Sequence, residues 1–226
     1  MIYIYGDSYA CPTHKHDENP NPWYEQLEKK YPITNRAVMG SGPEYAYQKY
    51  MKDEKLFTSE DKVIFIHSYA SRINWSGLSN PMWQNQIQAD VSGLLRSDGT
   101  IYGDVTVGET GTEETIKFFN EYQDEIKYVY HHYKYNDKIN TSVFEKALVI
   151  RHIAQSKRVK TYYMVVSSKD WKNLQKYHSP IHNNEWFNLH YTPLLFKSEI
   201  PPLELRNHFT KKEHNVLFRD VLDFLE

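Results

Sequence analysis

The sequence predicts an α/β fold, a three-layer α/β/α sandwich built on a mostly parallel sheet. Short runs of β-branched and aromatic residues alternate with longer stretches of helical periodicity along the 226 residues, a pattern typical of parallel sheets with crossover helices. The run Val-Ile-Phe-Ile at 63–66 is apolar at every position, as expected of a central strand that helices cover on both faces. With 40% hydrophobic and 25% charged residues, the chain has the composition of a globular protein.

The strands and helices are predicted from the spacing of apolar residues. Strands are expected at 2–5, 36–39, 62–67 and 161–166, and helices at 22–30, 44–53 and 112–135. A further helix is expected over 142–157, because its apolar residues recur at steps of three and four and because Ser142 and Glu145 have capping-box spacing. The last helix begins near Lys211, with Thr210 and Glu213 as its predicted cap and with one apolar stripe, Leu217, Val221 and Leu225.

The chain is predicted to form one domain over residues 1–226, because it contains neither an internal repeat nor a linker that would divide it. Two stretches fit the alternation of strands and helices poorly. Residues 76–111 are rich in glycine, and residues 167–202 combine prolines with tryptophans. Loops of this length within a compact domain are usually functional or peripheral, so both stretches are predicted to be loop insertions.

Composition argues against several classes of protein. With 27 basic and 29 acidic residues the net charge is −2, whereas nucleic-acid binders usually carry a basic excess. No apolar run approaches the about 18 residues of a membrane span. The single cysteine, Cys11, excludes an internal disulfide. Because the first residues lack the pattern of a signal peptide, a cytoplasmic location is expected; the Tyr-, Asn- and Lys-rich composition also fits a virus-encoded, virion-associated protein.

Gly6-Asp7-Ser8, directly after the first predicted strand, is the sharpest local motif. A serine on a tight turn between strand and helix exposes its hydroxyl close to amide donors, which suits a nucleophile. Asp7 is expected to support the turn as a hydrogen-bond acceptor. The alternative is an ordinary turn in which Ser8 or Asp7 caps a helix. A possible partner for Ser8 is His208, which precedes the last helix and is followed by His214.

In these positions the chain resembles the SGNH (GDSL-type) hydrolase family. That family has a first block Gly-Asp-Ser after strand one and a catalytic histidine before the C-terminal helix, often with a second histidine six residues later. The resemblance implies an SGNH-type fold with a flavodoxin-like sheet, Ser8 as the nucleophile and His208 as its base. The stretch from Asn35 to Gly40 resembles the second block of the family, which implies that the Gly40 amide donates to the oxyanion.

Two functional positions of the family are occupied differently in this chain. Ala70 stands where the family has the asparagine of its oxyanion hole, and Leu205 stands where it has the triad aspartate. Glu204 or a backbone carbonyl is the candidate to orient His208 in place of that aspartate. Candidates to replace the asparagine are Ser71, Arg72 and Asn74. Arg72 suits an oxyanion because its guanidinium is always charged, although a plain salt bridge is the alternative for this side chain.

The resemblance implies ester hydrolysis without a metal or an organic cofactor. A small-molecule or glycan ester is the expected substrate, because aromatic side chains within the two long stretches or directly beside them suit sugar rings: Trp75, Trp83, Trp171 and Trp186. No nucleic acid or membrane is expected as a partner. His14 and His16 lack a third ligand at helical spacing, which argues against a zinc site. The alternative function is that of a catalytically degenerate SGNH fold, used for binding or as a structural, virion-associated part of an assembly.

Overall fold

The computed structural model describes residues 1–7, 9–11, 22–38, 41–67, 138–166, 171–172, 174–175, 181–191 and 211–226. Its centre is a five-stranded sheet in which every described pair of neighbouring strands is parallel. The strand order is β2-β1-β3-β4-β5, which is the flavodoxin-like order. The α/β fold class predicted from the sequence is therefore confirmed.

The strands are short, and longer helices lie between them in the sequence. The strands are β1 (Ile2–Tyr5), β2 (Ile33–Asn35), β3 (Lys62–His67), β4 (Lys160–Val165) and β5 (Phe187–Tyr191). The described helices are α1 (Trp23–Glu28), α2 (Pro43–Asp53), α3 (Lys138–Lys157) and α4 (Lys211–Leu225), with a 3-10 turn at Glu54–Leu56.

Helices cover the sheet on both faces, because alternate residues of each strand point to opposite sides. Helices α2 and α3 pack on one face, where Tyr50 and Ile150 meet Phe65 and Tyr163. Helices α1 and α4 pack on the other face, and their buried residues Leu27, Leu217 and Val221 meet Ile4, Ile64 and Met164. The described elements thus form three layers.

Aromatic rings form a row across the face that α2 and α3 cover. The ring centroids of Tyr5 and Phe65 are 6.4 Å apart, those of Phe65 and Tyr163 5.1 Å, and those of Tyr163 and Phe187 5.9 Å. Phe65 and Tyr163 are nearly parallel, at 8°. Several of the 19 tyrosines are thus part of the core, where large aromatic side chains bury much apolar area.

Two lysines hold the carboxyl end of α4 at the amino edge of the sheet. Lys62 and Lys160 are partners in the register of β3 and β4. Lys62 Nζ donates to the carbonyl of Leu225, and Lys160 Nζ donates to that of Phe224 at 3.3 Å. Cations are favourable there because the last carbonyls of a helix lack partners and carry partial negative charge. The first turn of α4 consequently lies toward the opposite edge, where the strands end.

Three of the predictions of secondary structure are wrong. The second strand lies at Ile33–Asn35 and not at 36–39; the apolar run Ala-Val-Met favoured the later position, although ladder-like bonds to β1 continue as far as Val38. The sequence predicts a loop over 167–202, but β5 lies within it. The strand is missed because polar residues interrupt its short alternating pattern. Helix α3 begins at Lys138, so Ser142 lies inside it and cannot be its N-cap.

The strands at 2–5 and 62–67 and the start of the last helix at Lys211 agree with the predictions from sequence. The predicted loop at 76–111, the predicted helix at 112–135 and Thr210 lie outside the described residues. Within the described ranges, no helix has both the length and the apolar composition needed to cross a membrane.

Arg158, directly after α3, offers a test of backbone strain. Its φ is 57°, and Val159 N–H donates to Ala154 O at 2.9 Å, as in a Schellman motif. A residue with a Cβ destabilises the folded state by about 1–2 kcal/mol in this left-handed region. Glycine avoids that cost but loses more backbone entropy on folding. We expect Arg158→Gly to raise the free energy of unfolding in urea by about 0.5–1 kcal/mol. The control is Gln155→Gly, at an exposed position inside the helix, which should lower the free energy of unfolding. A lower free energy of unfolding for Arg158→Gly would contradict this account.

Candidate active site

The strand order itself indicates where a site should lie. In open parallel sheets, ligands bind outside the carboxyl ends of the strands, at the point where the chain order reverses. In the order β2-β1-β3-β4-β5 that reversal falls between β1 and β3, whose last paired residues are Tyr5 and Phe65. The Gly6-Asp7-Ser8 motif follows β1 at this switch point, and the segment that begins at Ser68 follows β3.

Gly6 is required because β1 and β3 approach each other closely at their ends. A Cβ built on residue 6 would lie 2.9 Å from Ile66 Cβ. That carbon is attached directly to the backbone of β3 and is fully buried, so it has little freedom to move away. The glycine of the motif therefore has a steric cause that is independent of any catalytic function.

Asp7 is almost completely buried, with 1% of its surface exposed. Its Oδ1 accepts the N–H of Tyr9 at 3.2 Å, and its carbonyl accepts the N–H of Ala10 at 3.0 Å. Such contacts are typical of an aspartate that stabilises a turn through the backbone two residues later. Asp7 therefore helps to hold the backbone of residues 9 and 10.

The segment after β2 is attached to the segment after β1 by side-chain and backbone bonds. Asn35 Nδ2 donates to Ala10 O at 2.8 Å, while Asn35 Oδ1 accepts the N–H of Ala37 at 2.9 Å. Gly6 O accepts the Ser41 hydroxyl at 3.1 Å and the N–H of Val38 at 3.2 Å. Residues near Gly40 in the sequence are thus bonded to residues on either side of Ser8.

Trp23 connects the segment after β1 with the first turn of α4. Its indole Nε1 donates to Tyr9 O at 2.9 Å, and its backbone N–H donates to His214 Nδ1 at 3.3 Å. This N–H is the first of α1, one of those that no carbonyl of the helix can accept, so His214 satisfies it from another helix. Because Nδ1 accepts, the neutral imidazole carries its proton on Nε2.

Of the predicted site residues, Asp7 is described, and the others lie outside the described residues: Ser8, Gly40, Ser71, Arg72, Asn74, Glu204 and His208. Their functions stay predictions. His14 and His16 lie outside the described residues as well. In the part of the chain that the structure describes, no three or more His, Cys, Asp or Glu side chains are grouped so that they could hold a metal ion.

His67, the last residue of β3, has no predicted function in the sequence analysis. Its side chain is completely buried, and its Nδ1 lies 2.8 Å from Tyr163 Oη. Among the residues that the structure describes, none is a hydrogen-bond partner of its Nε2. Burial lowers the pKa of His67 to about 3, and the nearby positive charge of Lys146 adds to the effect. The sequence signal that could have identified it is a polar residue that ends an otherwise apolar strand.

A lysine of α3, Lys146, acts electrostatically on His67. Lys146 Nζ of α3 is 2.8 Å from Glu44 Oε2 in the first turn of α2, and Lys146 is one of the few charged residues that are buried. Lys146 thus brings a positive charge close to an imidazole that burial already keeps neutral. Protonation of His67 would place two like charges in a region of low dielectric.

Comparisons of the chain with models of protein families, with curated proteins and with solved structures found no match. The functional interpretation of this edge of the sheet therefore rests on its residues and their contacts. Membership of the SGNH family stays a prediction from the motifs at 6–8, 35–40 and 208–214.

The burial of His67 predicts a loss of stability in acid. Its pKa is lower in the folded protein, at about 3, than the ordinary value of 6.5, so the unfolded chain binds more protons between these values. The free energy of unfolding should therefore fall as the pH drops from 6.5 toward 3, by up to about 1.4 kcal/mol per pH unit from this residue. Urea unfolding between pH 7 and pH 4 measures the slope.

His67→Asn removes the titrating ring and retains a polar atom near Tyr163, so its stability should depend less steeply on pH than that of the wild type. His152→Asn replaces an exposed histidine of α3 and should keep the wild-type slope. Equal slopes for His67→Asn and the wild type would show that His67 does not cause the acid sensitivity.

Proposed function

We propose that this protein is a serine hydrolase of ester bonds, with Ser8 as the nucleophile and His208 as its general base. The observation that carries the proposal is the pair of hydrogen bonds made by Trp23. They join Tyr9, the residue after Ser8, to His214, which follows His208 by six residues. Contacts across 191 positions of sequence thus bring the first turn of α4 to the segment that follows β1.

The proposed reaction begins when Ser8 Oγ attacks the ester carbonyl carbon and its proton passes to His208. Backbone amides of Ser8 and Gly40 would stabilise the negative charge that develops on the carbonyl oxygen. The bond to the alcohol then breaks, and the leaving oxygen takes the proton from His208. Water attacks the acyl-enzyme by the same route, which releases the carboxylic acid and restores Ser8. No cofactor is needed for these steps.

The departures from the family pattern affect the expected rate. A missing triad acid typically costs up to about 10⁴ in rate, and a missing oxyanion donor costs about 10² to 10³. We propose that Ser71, Arg72 or Asn74 replaces the oxyanion donor and that Glu204 orients His208. A chain without such replacements would hydrolyse esters only slowly.

A glycan ester is the proposed substrate, and a small-molecule ester is the alternative substrate for the same reaction. Trp171 and Tyr191 support this choice, because their rings stack with centroids 5.2 Å apart and planes at 9°. Tyr191 is the last residue of β5, so the pair lies at the same edge of the sheet as the end of β1. On this proposal the protein acts in the cytoplasm, or with the virion where a virus encodes it.

The second candidate function is a binding or structural part of an assembly, and the observation that favours it is the pair of replaced residues. Ala70 and Leu205 stand where the family has its oxyanion asparagine and its triad aspartate. A fold can keep a serine and a histidine after its activity is lost, so the two functions make different predictions for the reactivity of Ser8.

Labelling with a fluorophosphonate distinguishes the two functions. If the hydrolase proposal is correct, Ser8 Oγ displaces fluoride from phosphorus, and the intact mass rises by that of one probe less hydrogen fluoride. His208→Ala should react at least about 10²-fold more slowly, because general-base catalysis contributes that much or more. Ser8→Ala should give no adduct.

Ser156→Ala is the matched control for Ser8→Ala, because Ser156 is an exposed serine of α3 whose hydroxyl donates to Ile153 O. It should label like the wild type. Folded wild-type protein that forms no adduct would contradict the hydrolase proposal and favour the binding function. An adduct that persists in Ser8→Ala would assign the reactive serine elsewhere.

A further inference from the structure

We infer that Asn35 is a positioning residue, which joins the backbone at Ala10, two residues after Ser8, to the chain that leads from β2 toward Gly40. The inference rests on the proposed function, because it concerns the placement of the proposed nucleophile relative to a proposed oxyanion donor. Asn35 would act through the backbone of both segments and would not touch the substrate. It stands at the start of the stretch that resembles the second family block, but the motif assigns it no function.

Both ends of the Asn35 amide are used, and they bind different segments. Oδ1 accepts the N–H of Ala37, which stiffens the chain directly after β2, at 2.9 Å. Nδ2 donates to Ala10 O, 25 positions away in sequence, at 2.8 Å. Because the amide is planar and short, these two bonds leave little freedom between the segments that it joins.

A second attachment lies on the other side of Ser8. Gly6 O accepts both the Ser41 hydroxyl and the N–H of Val38, and Ser41 is completely buried. Gly6 is itself held against Ile66 of β3. Positions 6 and 10, each two residues from Ser8, are therefore bonded to positions 35, 38 and 41, which bracket Gly40 in the sequence.

This arrangement affects the rate of the proposed reaction more than binding. An oxyanion donor acts only when it lies about 2.7–3.1 Å from the developing charge, and a misplacement of about 1 Å can reduce the rate about 10²-fold. Loss of the Asn35 attachment should therefore slow the attack by Ser8. The affinity for an ester or a probe depends on other contacts and should change little.

Asn35→Asp tests the inference at a single atom. The carboxylate keeps an oxygen that accepts the N–H of Ala37, but it places an oxygen against Ala10 O where the amide placed a donor. We expect the maximal rate constant for modification by a fluorophosphonate to fall about 10- to 100-fold. The probe concentration that gives half of that rate should change by less than about threefold, because ground-state binding is not altered.

Asn184→Asp is the matched control, because it makes the same substitution and removes no hydrogen bond that the described residues make. Asn184 Oδ1 accepts the N–H groups of Trp186 and Phe187, and within the described part of the chain its Nδ2 has no hydrogen-bond partner. It precedes β5, toward the amino edge of the sheet. This variant should react with the probe at the wild-type rate and with the wild-type half-maximal concentration.

Ser41→Ala provides a second variant in case Asn35→Asp does not fold, with Ser156→Ala as its control. It removes the hydroxyl that donates to Gly6 O. As for Asn35→Asp, the maximal rate constant should fall while the half-maximal probe concentration changes little. Folded variants that react at the wild-type rate would overturn the inference for Asn35 while the hydrolase proposal stands. A wild-type protein that does not react would overturn both, and the two failures are therefore distinguishable.

Discussion

At the ends of β1 and β3 the backbone of Gly6 passes so close to Ile66 that a side chain at residue 6 would have no room. The carbonyl of the same glycine accepts two hydrogen bonds from the segment that follows β2. Three neighbouring strands are thus brought together around one residue without a side chain. This contact positions Asp7, Asn35 and Ser41, because each of their side chains bonds to the backbone at Gly6 or within the next four residues.

The two edges of the sheet have different functions. At the amino edge, Lys62 and Lys160 hold the last carbonyls of α4, which stabilises the helix and sets its direction. At the carboxyl edge, the first turn of α4 meets the segment after β1 through Trp23. The lysines are remote from this edge, yet they help to determine where α4 begins.

The core below the candidate site contains polar side chains as well as aromatic rings. Tyr5 Oη donates to Asp53 Oδ2 at 3.0 Å, and Arg36 is paired with the same oxygen. His67 is fully buried, and its Nδ1 lies 2.8 Å from Tyr163 Oη. The face of the sheet that α2 and α3 cover thus combines aromatic rings with polar side chains below the switch point.

Local apolar periodicity and turn chemistry were sufficient to predict the fold class, the strands at 2–5 and 62–67, the start of the last helix and the serine motif after β1. The positions of β2, before the apolar run at 37–39, and of β5, within 167–202, became known only from the folded chain, since edge strands are half-polar. The same holds for Trp23, Asn35 and His67: hydrogen bonds between residues 25 to 191 positions apart leave no periodic signal in the chain.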